Sequence, residues 1–282
     1  MAIRMVALLD GTIVDPTQPI VRADDQGVVR GDGVFESLIV VDGEPRHVEE
    51  HLERLAHSAG ILRLPAPEAE GYRRAIQAII DAWDWEADDQ AVVRLFMTRG
   101  PEGLDEPSGW AIAAPIDERS LRERRDGVKV LLLDRGFEGT EIVDLPWLLP
   151  GAKSLSYGIN MAARRYAMNN GADDAIFVTP SGNLLEGPTS SLVLDMDGVL
   201  VTPPQEGILR SISIAEVAEK APAAGLSFEM RPLVVADLEK ARGAWLVSSS
   251  RLVARVTHAD GKELSISPLD DEVRRMMRVP GF

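Results

Sequence analysis

The N-terminal part of the chain alternates short apolar runs with polar turns and then continues as two amphipathic segments. "MVALLDGTIVD" and "FESLIVVDGEPRHV" each place an Asp-Gly pair between apolar runs, which predicts a β-rich start. Apolar residues then recur at helical spacing in "VEEHLERLAHSAGIL" and "YRRAIQAIIDAW", which predicts two helices. "AVVRLFMTRG" and "GWAIAAPI" follow as predicted buried strands, joined by the turn-rich "PEGLDEPSG".

The charged run "DERSLRERRDG" interrupts this pattern, and we interpret it as a solvated linker. A new pattern starts at "VKVLLLD", so the sequence predicts a small domain over residues 1–118, a linker over 119–126 and a larger domain over 127–282. Within the larger domain, "SYGINMAARRYAMNNGAD" predicts a helix that stops near Gly171. Its apolar stripe consists of Ile159, Ala162, Ala163, Tyr166 and Ala167. Hairpins mixed with helices, with few strand-helix-strand alternations, predict an α+β fold.

Composition narrows the classes of partner. The 282 residues are 45% hydrophobic and carry a formal charge of −15, which disfavours binding to nucleic acid or to an anionic membrane surface. The absence of cysteine excludes disulfides, thiolate metal sites and thiol nucleophiles. No apolar run approaches the roughly 18 residues of a membrane span, and the N-terminal run is too short for a signal peptide. We therefore expect a cytoplasmic protein with small-molecule partners.

Three short motifs have both a chemical and a structural interpretation. "HVEEH" at 47–51 matches a zinc-binding pattern, but a hydrogen-bonded core histidine is the interpretation we favour, and we expect no metal site. "RGDGVFES" lacks the lysine of a phosphate-binding loop and is interpreted as a tight turn before a strand. "VSSSRL" is compatible with an anion cradle and with an ordinary turn.

Lys153 in "PGAKSLSYG" is the candidate with the clearest chemistry. A desolvated lysine can lose its proton and attack a carbonyl, which an arginine cannot do. The alternative is a surface lysine at a helix start. A carboxylate in "LLEGPTSS", a small polar helix start in "ILRSIS" and hydroxyls in "VSSSR" accompany it along the chain. Pyridoxal phosphate needs this set, namely an amine, a carboxylate for the ring nitrogen, a helix N-terminus and further phosphate donors.

The same motifs resemble those of the fold-type IV pyridoxal-phosphate enzymes. That group contains D-amino acid transaminases, branched-chain aminotransferases and 4-amino-4-deoxychorismate lyases. The resemblance covers most of the chain through "GDGVFES", "EHLERL", "GAKSL", "GADDAIFVTPSGNLLEGPTSS", "DGVLVTPP", "GILRSIS" and "WLVSSS". It implies a two-domain α+β architecture, with a small N-terminal α/β domain and a larger C-terminal domain built on a β-barrel-like core. It also implies a homodimer.

The resemblance also implies residue roles. Lys153 is similar to the lysine that binds pyridoxal 5'-phosphate as a Schiff base and moves a proton between the substrate Cα and the cofactor C4′. Glu186 is similar to the partner of the ring nitrogen, where a carboxylate strengthens the ring as an electron sink. The other implied cofactor-binding residues are Arg54, Ile212, Ser213 and Ser250 at the phosphate, and Tyr157 at the cofactor hydroxyl.

The sequence departs from the D-amino acid transaminases at the substrate carboxylate. Those enzymes use an arginine and a histidine in the loop after "TRG", whereas the same loop here, "PEGLDEPSG", has no basic residue. They also use a tyrosine on the strand after "GDG", and the residue at that position here is Phe35. Arg30 and Arg251 are the arginines best placed by sequence to bind a carboxylate instead. An interdomain salt bridge or an exposed charge is the alternative for each.

We expect an aminotransferase that moves an amino group from a D-amino acid, or from an R-amine, to a 2-keto acid. A lyase that releases pyruvate and 4-aminobenzoate from aminodeoxychorismate is one alternative, and a branched-chain L-amino acid aminotransferase is another. A non-catalytic cofactor-binding protein is disfavoured because Lys153 and Glu186 are both present.

Overall fold

The computed structural model describes residues 4–282, so residues 1–3 of the predicted N-terminal domain lie outside the described residues. The chain forms two units. Unit 1 combines the residues up to Asp117 with the segment Gly151–Tyr157, and unit 2 combines Glu118–Pro150 with Gly158–Phe282. The sequence-based boundaries give Lys153 to the larger domain, whereas the structure groups its segment with the N-terminal residues.

Unit 1 is an antiparallel sheet with helices on one face. The sheet order is β2-β1-β6-β5-β3-β4. The elements are β1 Met5–Leu8, β2 Ile13–Val14, α1 Gln26–Arg30, β3 Gly33–Val41, β4 Glu44–Pro45, α2 Val48–Ile61, α3 Ala69–Ala82, β5 Gln90–Thr98 and β6 Ser108–Pro115. The two predicted amphipathic helices and the paired strands are confirmed. β3 and β5 pair from Gly33↔Thr98 to Val41↔Gln90, which fixes the residues that share each face of the sheet.

Unit 2 is built on a mixed eight-stranded sheet, in the order β11-β10-β9-β12-β13-β7-β8 with β14 beside β13. Its elements are α4 Glu118–Asp126, β7 Val128–Asp134, α5 Gly139–Ile142, α6 Gly158–Asn169, β8 Asp174–Val178, β9 Ser191–Met196, β10 Val199–Thr202, α7 Ile212–Lys220, β11 Ser227–Met230, α8 Val235–Lys240, β12 Gly243–Ser248, β13 Leu252–Ala259, β14 Lys262–Glu263 and α9 Asp270–Met276. The predicted Asp-Gly turn between β9 and β10 is confirmed, because Asp197 and Gly198 both have positive φ. The predicted α+β class is confirmed.

The charge run for which the sequence favours a solvated linker forms helix α4. Glu123 and Arg124 of this helix are buried. Arg124 donates through Nε to the carbonyl of Arg251 and through Nη2 to the carbonyl of Ser250, each at 2.8 Å. The physical reason for the difference is that these charges have partners in unit 2, so burial does not leave them without hydrogen bonds.

Helix α6 occupies the predicted residues and ends before Gly171, which has a φ of 81°. Its apolar stripe is not buried as a whole, since Ala167 is buried but Ile159 and Tyr166 are 66% and 57% exposed. Part of the stripe therefore faces away from the core of unit 2.

Within residues 4–282, none of the helices combines the length and the apolar character that crossing a membrane requires.

Candidate active site

The main chain around Lys153 is fixed on both sides within unit 1. Phe35 N–H donates to the Lys153 carbonyl at 3.0 Å, and Leu155 N–H donates to the Gly33 carbonyl at 2.8 Å. The segment thus lies antiparallel beside the start of β3, with a single bridge between Val34 and Ser154. On its other side, Lys153 N–H donates to the hydroxyl of Ser58, a buried residue of α2, at 3.1 Å. The position of the Lys153 backbone therefore depends on the packing of α2 against β3.

The glycines of "GDG" allow this close approach. Gly31 ends α1 in the left-handed region with a φ of 72°. A Cβ on Gly33 would lie 2.5 Å from the carbonyl oxygen of Met97 and 2.8 Å from Leu155 Cδ1, so a side chain there would displace the strand or the lysine segment. The interpretation of this motif as a tight turn before a strand is confirmed.

The side chain of Lys153 lies against aromatic rings. Its Nζ is 4.6 Å from the ring centroid of Phe35 and 5.7 Å from that of Tyr157, and these two rings meet edge to face at 5.2 Å. Phe35 stacks in turn on Phe96 of β5, which stacks on Trp110 of β6. The lysine is half-buried in an aromatic environment, which argues against a hydrated surface lysine.

Glu36 points to the opposite face of β3, towards α2, and has no exposed surface. Arg54 donates to its carboxylate through Nε and through Nη2, both at 2.7 Å. His51 Nδ1 lies 2.7 Å from the same carboxylate. Burial raises the pKa of Glu36, but the charge and hydrogen bonds of Arg54, together with His51, outweigh it and lower the pKa to about 2. Glu36 is therefore an ionised, buried carboxylate.

Burial lowers the pKa of His51, and this outweighs the raising effect of its hydrogen bond to Glu36. The imidazole is therefore neutral at pH 7, and because an ionised carboxylate can only accept, Nδ1 carries the proton. His51 is the hydrogen-bonded core histidine favoured by the sequence for "HVEEH". Among residues 4–282, we find no group of three or more histidine or acidic side chains arranged to hold a metal ion.

In unit 2, Glu186 lies on a short hairpin with β8. Its carbonyl accepts from Phe177 N–H at 2.9 Å, and Leu185 N–H donates to the Phe177 carbonyl at 2.9 Å. The Glu186 side chain is half-buried, and its Oε1 accepts from Leu209 N–H at 3.4 Å. The hairpin thus holds a carboxylate beside the loop that leads to α7.

Ile212 and Ser213 form the first turn of α7, and both are buried. Ser211 caps the helix, because its hydroxyl accepts from Ile214 N–H at 3.2 Å. First-turn amides have no acceptor within their own helix, so this end of α7 suits an anion. Ser250 lies in the turn between β12 and β13, whose carbonyl groups Arg124 holds.

Arg251 lies in a buried ion-pair network of unit 2. Its Nη1 donates to Glu123 at 2.8 Å and to Asp174 at 2.9 Å, and its Nη2 donates to the Ser190 hydroxyl at 3.1 Å. Burial lowers the pKa of Arg251, but the two carboxylates outweigh it and raise the pKa above its usual value. The prediction that Arg251 binds a substrate carboxylate is at odds with this placement, because its charge already compensates two buried carboxylates.

Arg30 lies at the exposed end of α1, where it pairs with Glu102 at 2.8 Å, and its substrate-binding role stays a prediction.

Sequence reasoning missed Arg94 of β5, which lies on the same face of the sheet as Phe96. Arg94 is half-buried, and burial lowers its pKa against the opposing effect of Asp117. We find no hydrogen bond or ion pair of its side chain within residues 4–282. An arginine within the apolar strand "AVVRLFMT" was the available signal.

Glu36 was missed as well, although the sequence contains a signal for it. It shares the inward-facing positions of β3 with Val34, Leu38 and Val40, all of them buried. A carboxylate at an inward-facing position of a strand predicts a buried cationic partner.

The structure brings Lys153, Phe35 and Tyr157 together in unit 1, with Arg54 behind β3. It places Glu186, Ile212, Ser213 and Ser250 in unit 2.

Comparison with known proteins gives a consistent assignment. A protein from Mycobacterium tuberculosis described as a bifunctional aminodeoxychorismate lyase / D-amino acid transaminase is 42% identical over 273 residues, covering 94% of each chain. A hypothetical aminotransferase from the same organism, also 42% identical, has a TM-score of 0.94 over 97% of both chains. It has been solved in apo, PLP-bound, and alpha-ketoglutarate- and PMP-bound forms.

A fold IV transaminase from Curtobacterium pusillum is 37% identical, with a TM-score of 0.90 over 97% of this chain and 98% of that one. The family model for class IV amino-transferases matches residues 33–259, which include β3, the Lys153 segment and most of unit 2. The expected enzyme class is thereby confirmed, and the chain belongs to the class IV aminotransferases, the family of fold-type IV enzymes that its motifs resemble.

Proposed function

We propose that the enzyme transfers the amino group of a D-amino acid to a 2-keto acid, with Lys153 as the catalytic amine. The observation that carries this proposal is the placement of Lys153, whose main chain is held by β3 and α2 and whose Nζ lies at the face of Phe35. The name of the 42% identical relative from M. tuberculosis, which includes D-amino acid transaminase, supports this choice of donor.

The cofactor is pyridoxal 5′-phosphate, which the structurally similar M. tuberculosis aminotransferase holds in its PLP-bound form. The residues present fit this group, since unit 1 offers a half-buried amine and an oriented arginine, and unit 2 offers a carboxylate and a capped helix N-terminus. When bound, the cofactor ring withdraws electrons from the substrate Cα and so makes its proton removable.

We assign the proton transfer to Lys153. Its amine is the base that accepts the proton from the substrate Cα and delivers it to C4′ of the cofactor. The rings of Phe35 and Tyr157 restrict the path of Nζ and limit the access of water to it. The role of Glu186 is to keep a proton on the ring nitrogen, because an ionised carboxylate favours the protonated form of a nearby base. Tyr157 is assigned to the cofactor hydroxyl.

We assign the phosphate to Arg54, to the backbone amides of Ile212 and Ser213 and to the hydroxyl of Ser250. The support is chemical, since a guanidinium group and the first-turn amides of a helix are the donors that proteins commonly use for phosphate. Arg54 meets this requirement with a guanidinium fixed by Glu36, and its side chain is 10% exposed.

For the substrate carboxylate we propose Arg94, with Arg30 as the alternative expected from the sequence. Arg94 lies on the sheet face that carries Phe35 and Phe96, diagonal to Phe35 across the β3–β5 pair. Asp117 acts on the charge of Arg94 without a direct ion pair between residues 4–282, so a bound carboxylate would compensate this half-buried guanidinium further. We propose 2-oxoglutarate as the keto acid, because the similar M. tuberculosis aminotransferase has been solved with alpha-ketoglutarate.

A lyase acting on aminodeoxychorismate is the second candidate function. The specific observation in its favour is the name of the 42% identical relative, which carries both activities. The two reactions would use the same lysine, so the placement of Lys153 is compatible with each.

We also propose a homodimer. Unit 2 exposes large apolar side chains on α6 and in the turn Pro146–Leu148, and large exposed apolar side chains are typical of interfaces. These side chains are Trp147, Leu148, Ile159, Tyr166 and Met168.

The activity is tested by adding D-alanine, L-leucine, (R)-1-phenylethylamine and aminodeoxychorismate separately to the cofactor-loaded enzyme. We expect D-alanine to convert the cofactor to its amine form, with loss of the visible absorption band and formation of one pyruvate per site. Release of 4-aminobenzoate from aminodeoxychorismate, with the band unchanged by D-alanine, would instead assign the lyase. Loss of the band with L-leucine alone would assign a branched-chain enzyme.

The carboxylate assignment is tested by the variants Arg94→Met and Arg30→Met. Because a hydrogen bond to a charged group contributes about 1.5–3 kcal/mol, Arg94→Met should raise the KM for 2-oxoglutarate by about 10- to 100-fold. Arg73→Met, which removes an exposed arginine paired with Glu49, is the control and should leave KM unchanged. An effect in Arg30→Met alone would transfer the role to Arg30.

The oligomeric state is tested by sedimentation velocity at micromolar concentration. We expect a dimer, and we expect Ile159→Glu combined with Tyr166→Glu to shift it to the monomer, because charge on an apolar interface opposes association. A wild-type monomer under these conditions would contradict the proposal.

A further inference from the structure

Arg54, the arginine assigned to the cofactor phosphate, forms a buried ion pair with a carboxylate behind β3. Arg54 is already engaged by Glu36 through two parallel hydrogen bonds, each 2.7 Å long. Glu36 is fully buried, and its negative charge offsets the positive charge of Arg54. The cluster of Glu36, His51 and Arg54 therefore has a net charge near zero, since His51 is neutral. A carboxylate partner weakens the attraction of an arginine for a dianion, so attraction alone does not explain why Arg54 is paired with Glu36.

We propose that Glu36 is the positioning residue of the phosphate site. Its buried carboxylate, which His51 helps to hold, fixes the guanidinium of Arg54 in the orientation that receives the cofactor phosphate. This inference rests on the proposed cofactor role of Arg54 and goes beyond it. Glu36 touches neither substrate nor cofactor and acts through Arg54.

The geometry of the pair supports orientation over attraction. A guanidinium is planar, and two bonds to one carboxylate, through Nε and Nη2, leave it little freedom to rotate about its long side chain. The plane of the guanidinium, and with it the direction of its N–H groups, is thereby fixed. A phosphate bound by Arg54 meets an arginine that is already oriented, so binding does not have to restrict a mobile side chain.

His51 completes the arrangement. Its Nδ1–H donates to Glu36 at 2.7 Å and helps to hold the carboxylate in the plane of the guanidinium. Because the ring is neutral, it provides this hydrogen bond without adding a charge. Its Nε2 is buried and has no hydrogen-bond partner among residues 4–282, so the position of the ring depends on Glu36 and on packing.

The same helix and strand also hold the catalytic lysine. Ser58, seven residues after His51 on α2, accepts from Lys153 N–H, and Phe35, next to Glu36 on β3, donates to the Lys153 carbonyl. The amine and the phosphate donor are thus attached to one β3–α2 pair. The packing of α2 on β3 sets the distance between the amine and the phosphate donor. Glu36 is the polar contact that fixes Arg54 within this packing.

The experiment compares the affinity of the full-length apoenzyme for pyridoxal 5′-phosphate and for pyridoxal, which differ in the phosphate alone. The quench of tryptophan fluorescence reports binding, so the readout does not depend on turnover. The ratio of the two dissociation constants measures what the phosphate contributes. The variants are Glu36→Gln, which removes the charge, Glu36→Asp, which keeps the charge but shortens the reach, and His51→Leu. The control is Glu49→Gln, a change on the same helix as His51 and Arg54 that breaks an exposed pair with Arg73 of α3.

We expect the preference for the phosphorylated form to fall by about 10-fold or more in Glu36→Gln, the equivalent of one good charge-assisted bond. It should also fall in Glu36→Asp and, to a smaller extent, in His51→Leu. His51→Asn keeps an N–H donor near the position of Nδ1 and should restore the preference. Glu49→Gln should match the wild type.

Other outcomes overturn the proposal. A higher preference for the phosphorylated form in Glu36→Gln would mean that Glu36 acts only as an opposing charge. Glu36→Asp keeps the charge but loses the geometry of the pair. An unchanged preference for the phosphorylated form in this variant would mean that the charge of Glu36 matters and its geometry does not. If Glu36→Gln does not fold, as judged by circular dichroism, Glu36→Asp and His51→Leu decide. Failure of the wild type to bind either compound would contradict the proposed function itself and is distinct from these results.

Discussion

The buried ion pair between Glu36 and Arg54 is the contact on which the arrangement of unit 1 depends. A carboxylate without exposed surface is unfavourable unless charged and hydrogen-bonded partners compensate for the water that it loses. Arg54 and His51 supply those partners from one face of α2, and this fixes α2 against β3 at that point. Ser58, on the same face of the helix, then reaches the backbone of Lys153.

This constraint gives the two faces of β3 separate tasks. Phe35 faces the lysine side chain, and its backbone holds the lysine main chain, whereas Glu36 faces the helix. The alternation of a strand allows adjacent residues to contact the Lys153 amine and a buried charge cluster without mixing the two environments. The glycine at position 33 completes the arrangement, because a Cβ there would collide with the Met97 carbonyl oxygen and with Leu155, two residues after the lysine.

Local patterns were sufficient to predict much of the fold. Helices α2 and α3, the β9–β10 turn and the end of α6 at Gly171 follow from spacing and turn residues, and the structure confirms them. The order of the motifs predicts the family, which the match of the family model confirms, and the chemistry of an amine makes Lys153 the candidate for the Schiff base. The residues missed or misplaced depend on long-range contacts, which a local pattern does not contain. Arg251 pairs with Glu123 and Asp174, each more than 70 residues away, and helix α4 hides charges that look solvated in sequence.

We propose Lys153 as the amine that binds the cofactor. The most direct measurement is to load the purified enzyme with pyridoxal 5′-phosphate, reduce it with borohydride and locate the phosphopyridoxyl group by peptide mass spectrometry. Borohydride makes the bond between lysine and cofactor permanent. We expect the label on the peptide that contains Lys153. A label on another lysine, or none at all in the loaded protein, would contradict it.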